Sequence, residues 1–291
     1  DSNASRGLGD VYKRQYKNRL LEVIRHMDRI GVIGGTGLIS IDIKGQHQDF
    51  LLSKNMSVVR IDDINAETEF GIVPLRCITI DYEGQPKELI FLQRHHNQGD
   101  ANKPPHMINH KANIKALEAS GCEIIVSVCS TGTMVKDFPP GKVALADQYI
   151  DFTGVSTSYN DTFAVFTSVT EPFSLELNSK LEVSLRESQN FSPSEKMYYT
   201  YWLAHGPHFE TRAEVDAIER LGGEMVGMTM AREVKLANEL NIPYSAICIS
   251  SNWAAGREPG DPSAELSHEM VSSQANERLD PVIHSILSLL D

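Results

Sequence analysis

Residues 205–229, HGPHFETRAEVDAIERLGGEMVGMT, decide how the chain is read, because they pack a turn, a helix start and a second glycine turn around a few polar side chains. Thr211 followed by Glu214 is a capping box: the threonine oxygen accepts the backbone N–H three residues on, and the glutamate reaches back to the cap's own N–H. A helix therefore starts just after Glu210. Its core face is expected from Ala213, Ala217, Ile218 and Leu221, and Gly222-Gly223 end it, glycine being favoured at a C-terminal cap. Glu210 sits outside that helix at its positive end, where the dipole and free N–H groups favour an ionised carboxylate. Such a residue is either a solvated surface glutamate or an acceptor for a ligand N–H.

Working outward, several apolar runs read as buried strands that each deliver polar residues at their ends. The run 29–33 leads into Gly34-Gly35-Thr36-Gly37-Leu38, a loop whose backbone N–H groups can approach an anion, with the Thr36 hydroxyl as a further donor. It is neither a Walker A loop nor G-x-G-x-x-G. Runs 75–82 and 87–92 form a hairpin through Glu83-Gly84-Gln85, and the second delivers Arg94 and His95. An arginine there offers a planar fork that matches two phosphate oxygens; otherwise it is a solvated charge. The run 123–128 ends at Cys129-Ser130-Thr131-Gly132-Thr133, read as a small-residue turn, with Thr131 a phosphate or sugar contact or plain structure. Strands over 142–146, 196–204 and 244–249 and helices over 109–119, 175–188 and 231–240 complete the pattern, and the last strand delivers Asn252. Residues 263–290 are expected to hold one or two helices. The alternation predicts an α/β chain of one domain, a mixed central β-sheet flanked by helices, over residues 27–291. Residues 1–26 are read as a tag, artefact or leader, with a short helix possible over 16–26.

Composition narrows the function classes. A chain of 291 residues buries a full core, and a formal net charge of −12 without a basic run argues against nucleic acid as partner. Any anion site must be local. The four cysteines show no C-x-x-C spacing, and Cys122, Cys129 and Cys248 lie in apolar runs, as reduced thiols of a cytoplasmic protein do. No metal site and no membrane span are expected.

The opening stretch carries G-P-x-F-E-T-x-A-E, matched by Gly206, Pro207, Phe209, Glu210, Thr211, Ala213 and Glu214. It continues with G-x-x-V-G-M-T, matched by Gly223 and Val226 to Thr229. This resembles the trimeric purine nucleoside phosphorylase and methylthioadenosine phosphorylase family, and the resemblance runs from about Arg29 to about Val271. It implies phosphate binding through Thr36, Arg94, His95, Thr131 and Thr229, with inorganic phosphate as co-substrate and no cofactor. It further implies a homotrimer in which the Ser- and Thr-rich loop 154–170 meets a neighbour. The match fails after His95. The family continues R-H-G-x-x-H, whereas this chain has His96-Asn97-Gln98-Gly99-Asp100, leaving open whether His96 or Asp100 replaces the second histidine.

Cleaving an N-glycosidic bond leaves positive charge near the anomeric carbon and negative charge on the departing purine, and both ends need stabilising. The Asn252 amide can accept from N7–H and donate to O6, and Glu210 can accept from the N1–H that only a 6-oxopurine carries. The resemblance agrees, since 6-oxopurine-specific members carry Glu and Asn at these positions. Phe209 is expected to stack on the base and Met228 to cover the ribose, with ordinary core packing as the alternative for both. His268 matches a histidine that meets the ribose 5′-hydroxyl, although a helix histidine is often structural. The Gly-Gly-Thr-Gly-Leu loop instead resembles the methylthio branch. The expected activity is phosphorolysis of inosine or guanosine. The rivals are phosphorolysis of methylthioinosine or methylthioadenosine, and a non-catalytic purine-binding relative.

Overall fold

Period-two alternation of apolar side chains builds a sheet that is covered on both faces. In the computed structural model, which describes residues 28–36, 38, 40–41, 43, 45, 47–97, 102–266 and 279–291, that sheet has nine strands. They are β1 (Arg29–Gly34), β2 (Met56–Thr68), β3 (Gly71–Tyr82), β4 (Gln85–Gln93), β5 (Ile124–Thr133), β6 (Val143–Asp151), β7 (Tyr198–Leu203), β8 (Met225–Gly227) and β9 (Tyr244–Trp253). The helices are α1 (Gln48–Ser53), α2 (His110–Ala119), α3 (Leu175–Gln189), α4 (Arg212–Arg220), α5 (Met230–Glu239) and α6 (Leu279–Leu287). The segment 1–26, the helix considered over 16–26, and His268 lie outside the described residues.

Strand order is β2-β3-β4-β1-β5-β8-β7-β6-β9, and β9 also pairs with β5, so the β5 side of the sheet closes on itself. β1 runs parallel to β4 and β5, and β5 runs parallel to β9, which brings the C-terminal ends of four strands to one edge. Within β5, Ile124, Val126 and Val128 pack into one core, shared with α3 and α6. Ile125 and Cys129 face the other core, shared with α2 and α5. The mixed α/β sheet expected from the sequence is thus present, with the hairpin turn at Glu83-Gly84, both at positive φ.

Two local expectations need correction. Residues 129–133 are not a turn: β5 continues to Thr133, because β8 and β9 pair with it there, and the irregularity is a bulge between Thr131 and Gly132. The core face of α4 is Val215 and Ile218, while Leu221 is 56% exposed. Only one narrow stripe of this short helix meets the sheet, and Ala213 and Ala217 point outward. The second glycine turn leads into a three-residue strand, β8, which closes the ring between β5 and β7.

Candidate active site

The strand ends enclose a cavity of about 460 Å³. Thr36, Arg94, His95, Thr131, Phe209, Glu210, Met228, Thr229 and Asn252 all line it, so every candidate residue except His268 comes together.

At one end Arg94 and His95 follow β4. Arg94 is 3% exposed, and its fork is turned toward Glu233 of α5. Nε lies 2.8 Å from Glu233 Oε1, NH2 donates to Oε2 at 3.2 Å, and NH1 donates to the Val128 carbonyl at 3.0 Å. The fork expected to grip two phosphate oxygens is therefore occupied. Burial works against the guanidinium charge, but Glu233 together with Cys129, Tyr244 and Tyr201 outweighs it and strengthens the hold on the proton. Gly35 lies against this group, since a Cβ there would stand 2.4 Å from Arg94 NH1.

His95 Nδ1 is 2.8 Å from the Lys103 carbonyl, and the Lys103 N–H donates to the His95 carbonyl at 2.8 Å. A carbonyl only accepts, so Nδ1 carries a hydrogen, an assignment made from the bonding network. His96 does not take the place of the second histidine. Its Nε2 meets Asn113 Oδ1 at 2.8 Å, and Asn113 in turn donates to the Arg94 carbonyl at 3.3 Å. Asp100 lies outside the described residues. Asn102 and Lys103 line the cavity instead.

Thr229 caps α5, a ten-residue helix, without using its hydroxyl for the cap. Thr229 lines the cavity at the positive end of this helix, and its hydroxyl is a donor available to an anion there. Thr229 N–H donates to the Tyr201 hydroxyl at 3.2 Å. Gly227 makes that contact possible, because a Cβ there would sit 2.4 Å from the same oxygen. Thr131 Oγ1 donates to the Ile249 carbonyl at 3.2 Å, which leaves its lone pairs, not its proton, for a ligand.

At the opposite end the Asn252 amide is oriented by its neighbours. Nδ2 donates to the Trp253 carbonyl at 2.8 Å and Oδ1 accepts from Ser251 Oγ at 3.0 Å. One N–H and one lone pair remain, a donor beside an acceptor. The capping box of α4 forms as expected, with Glu214 N–H to Thr211 Oγ1 at 3.2 Å and Thr211 N–H to Glu214 Oε2 at 2.7 Å. Glu210 precedes it, and its Oε1 is sealed from solvent with no hydrogen-bond partner. Burial raises its carboxyl above the ordinary value, so desolvation outweighs the helix end that was expected to keep it ionised.

Sequence reasoning missed Glu233, Ser251 and Lys103. Glu233 carries a faint signal, an acid within the mostly apolar run of α5. Lys103 carries none, because it follows the segment where the motif breaks.

The chain matches the phosphorylase superfamily over residues 29–288. It is 34% identical over 266 residues, 86% of this chain and 89% of the other, to a Thermococcus kodakarensis protein named "Probable 6-oxopurine nucleoside phosphorylase". It is 31% identical over 233 residues, 78% of each chain, to a Thermodesulfovibrio yellowstonii protein named "Probable S-methyl-5'-thioinosine phosphorylase". A solved methylthioadenosine phosphorylase from Schistosoma mansoni, in complex with adenine, shares the fold at TM-score 0.73 and 22% identity, covering 90% of both chains. From these matches the chain belongs to the phosphorylase superfamily and is a nucleoside phosphorylase, a pentosyltransferase of the purine family.

Proposed function

We propose that this enzyme phosphorolyses 6-oxopurine nucleosides, with inosine and guanosine preferred, to the free base and ribose 1-phosphate. One observation carries the reading: the sealed, unpartnered Glu210 Oε1 shares a cavity with the donor–acceptor pair of Asn252. A 6-oxopurine fills all three positions, giving N1–H to Glu210, taking an N–H at O6 and giving N7–H to Asn252. An adenine turns a lone pair toward the carboxylate, and a mismatch of this kind reduces kcat/KM by roughly 10⁴ to 10⁵.

In the reaction a phosphate oxygen bonds to C1′ as the C1′–N9 bond breaks. The electron pair enters the purine, and the proton that hydrogen phosphate gives up on bonding to C1′ is taken up at N7 by way of water, so the base leaves as the N7–H form hydrogen-bonded to Asn252. Thr36, Arg94, His95 and Thr229 bind the phosphate, which also opposes the positive charge on the sugar, and Thr131 accepts from a protonated phosphate oxygen or a sugar hydroxyl. Phe209 stacks on the base and Met228 covers the ribose. His268 is assigned the 5′-hydroxyl. A homotrimer is supported by the loop after β6, where Phe163 and Phe166 are 78% and 94% exposed.

A second reading, phosphorolysis of methylthioinosine, uses the same base contacts. It is supported by the name of the Thermodesulfovibrio relative and by the apolar Leu266 on the cavity wall. The test is base release from inosine, adenosine, methylthioinosine and methylthioadenosine, each with and without phosphate. Preference for inosine supports the full reading, and preference for methylthioinosine removes the role of His268. Adenine nucleosides cleaved fastest would overturn the base contacts, and tight hypoxanthine binding without turnover would leave a purine-binding relative.

A further inference from the structure

Inorganic phosphate is a multiply charged oxyanion, and a site that desolvates it needs cations whose charge is not already matched. The charged residues lining the cavity, among those described, are Arg94, Lys103 and Glu210. Arg94 is matched by Glu233, which is fully buried. NH2 donates to Glu233 Oε2 and toward Cys129 Sγ, at 3.7 Å for the last, and NH1 to the Val128 carbonyl, while the buried Nε is ion-paired with Glu233 Oε1 without a hydrogen bond, so one hydrogen on NH1 remains for a ligand. Glu210 belongs to the opposite end.

Lys103 is different. Its backbone is held beside His95 by the two reciprocal 2.8 Å hydrogen bonds, on the wall of the cavity that Arg94 and Thr229 also line. The residue is half-buried, and no acidic side chain pairs with its ammonium among the described residues. A lysine binds phosphate as a point charge, which tolerates the flexible approach that a fixed fork does not.

We propose that Lys103 is the counter-cation of the phosphate co-substrate, supplying the charge that Arg94 has given to Glu233. The proposal rests on the reading that this cavity takes phosphate. It assigns a binding role to a residue that follows the break in the R-H-G-x-x-H pattern, so the altered segment substitutes a mobile cation for the absent histidine.

The experiment compares the full chain with Lys103→Met and Lys103→Arg. Initial rates of base release are measured with phosphate varied at saturating nucleoside and the reverse, and inorganic phosphate is titrated calorimetrically into each protein without nucleoside. Lys103→Met is expected to raise both the phosphate KM and the phosphate Kd on the order of tenfold. Its nucleoside KM stays within about twofold, and Lys103→Arg recovers most of the loss. Unchanged phosphate KM and Kd in a Lys103→Met protein with wild-type thermal midpoint would overturn the proposal, as would wild-type protein that binds no phosphate. If Lys103→Met does not fold, Lys103→Gln carries the same comparison. Should no nucleoside be cleaved, the functional reading fails, and the titration still decides the role of Lys103.

Discussion

Replacing Glu233 by Gln tests the buried pair on which the phosphate end is built. Glu233 is fully buried and Arg94 is 3% exposed, with contacts of 2.8 and 3.2 Å between them and a further bond from the Tyr244 hydroxyl to Oε2 at 2.9 Å. A glutamine of the same shape has one acceptor oxygen, so its NH₂ must face either Arg94 Nε–H or the NH2 and Tyr244 donors. Either way two donors meet and the guanidinium keeps an unmatched charge. Coulomb attraction at 2.8 Å is about 6 kcal/mol at an effective dielectric near 20, and the amide dipole retains part of it. Removing one partner of a buried pair costs about 3–5 kcal/mol, which corresponds to a drop in Tm of roughly 6–10 °C for a chain of this size. Urea unfolding and calorimetry of Glu233→Gln, Arg94→Met and the double variant read both the loss and the coupling. The double variant is expected to fall short of the summed losses by about 2–3 kcal/mol, since it leaves no buried charge without its partner. A Glu233→Gln loss below about 1 kcal/mol, or strict additivity, refutes the reasoning.

Other expectations follow from single contacts. Asn252→Ala should lower kcat by roughly 10²–10³-fold, because it removes a hydrogen bond that strengthens as the purine departs, and an unchanged rate would take Asn252 out of the mechanism. Thr211→Ala removes the hydroxyl arm of the capping box, keeps the backbone N–H to Glu214, and should cost about 1 kcal/mol in urea unfolding, with activity lost only in proportion to folded protein. Burial lifts the Glu210 carboxyl above its ordinary value near 4.5, so its stabilising contribution is complete below that pH and is lost as pH rises through the higher folded value. Glu210→Gln should therefore gain stability relative to wild type across that window, and parallel pH profiles would show that the burial is not felt.

Much of the site was legible because its signals are local. A glycine loop after a strand, Arg-His after a hairpin, a capping box after Phe-Glu and an Asn after a buried strand each show in a few neighbouring residues, and the fold brings their side chains to one cavity. Pairing across the chain was not legible. Arg94 was read as a free fork because nothing near it in sequence announces Glu233, 139 positions away. The direction in which the Glu210 carboxyl shifts was misjudged for a similar reason: the helix end is local, whereas the walls that strip water from Oε1 come from distant segments. For α4, a short amphipathic pattern allowed several faces, and the sheet selected Val215 and Ile218.

The base end shows why strand propensity alone could not orient Asn252. β5 and β9 stay in register up to Thr131 opposite Ser250, then resume with Gly132 opposite Asn252, so Ser251 is the extra residue of a bulge. A bulge bends its strand and re-aims the next side chain, which strict alternation would have left in the pattern of its neighbours. Here it buries Ser250 and Ser251 together and sets Ser251 Oγ 3.0 Å from Asn252 Oδ1. Gly132 fits opposite because a Cβ there would press to 3.3 Å from Asn252 Nδ2. With the Trp253 carbonyl holding Nδ2, the amide resists the flip that would exchange its donor and acceptor faces. On the proposed reading, discrimination between a 6-oxopurine and an adenine depends on one backbone irregularity, stabilised by the double pairing of β9 with β5 and β6 and carried to the ligand through a single oriented amide.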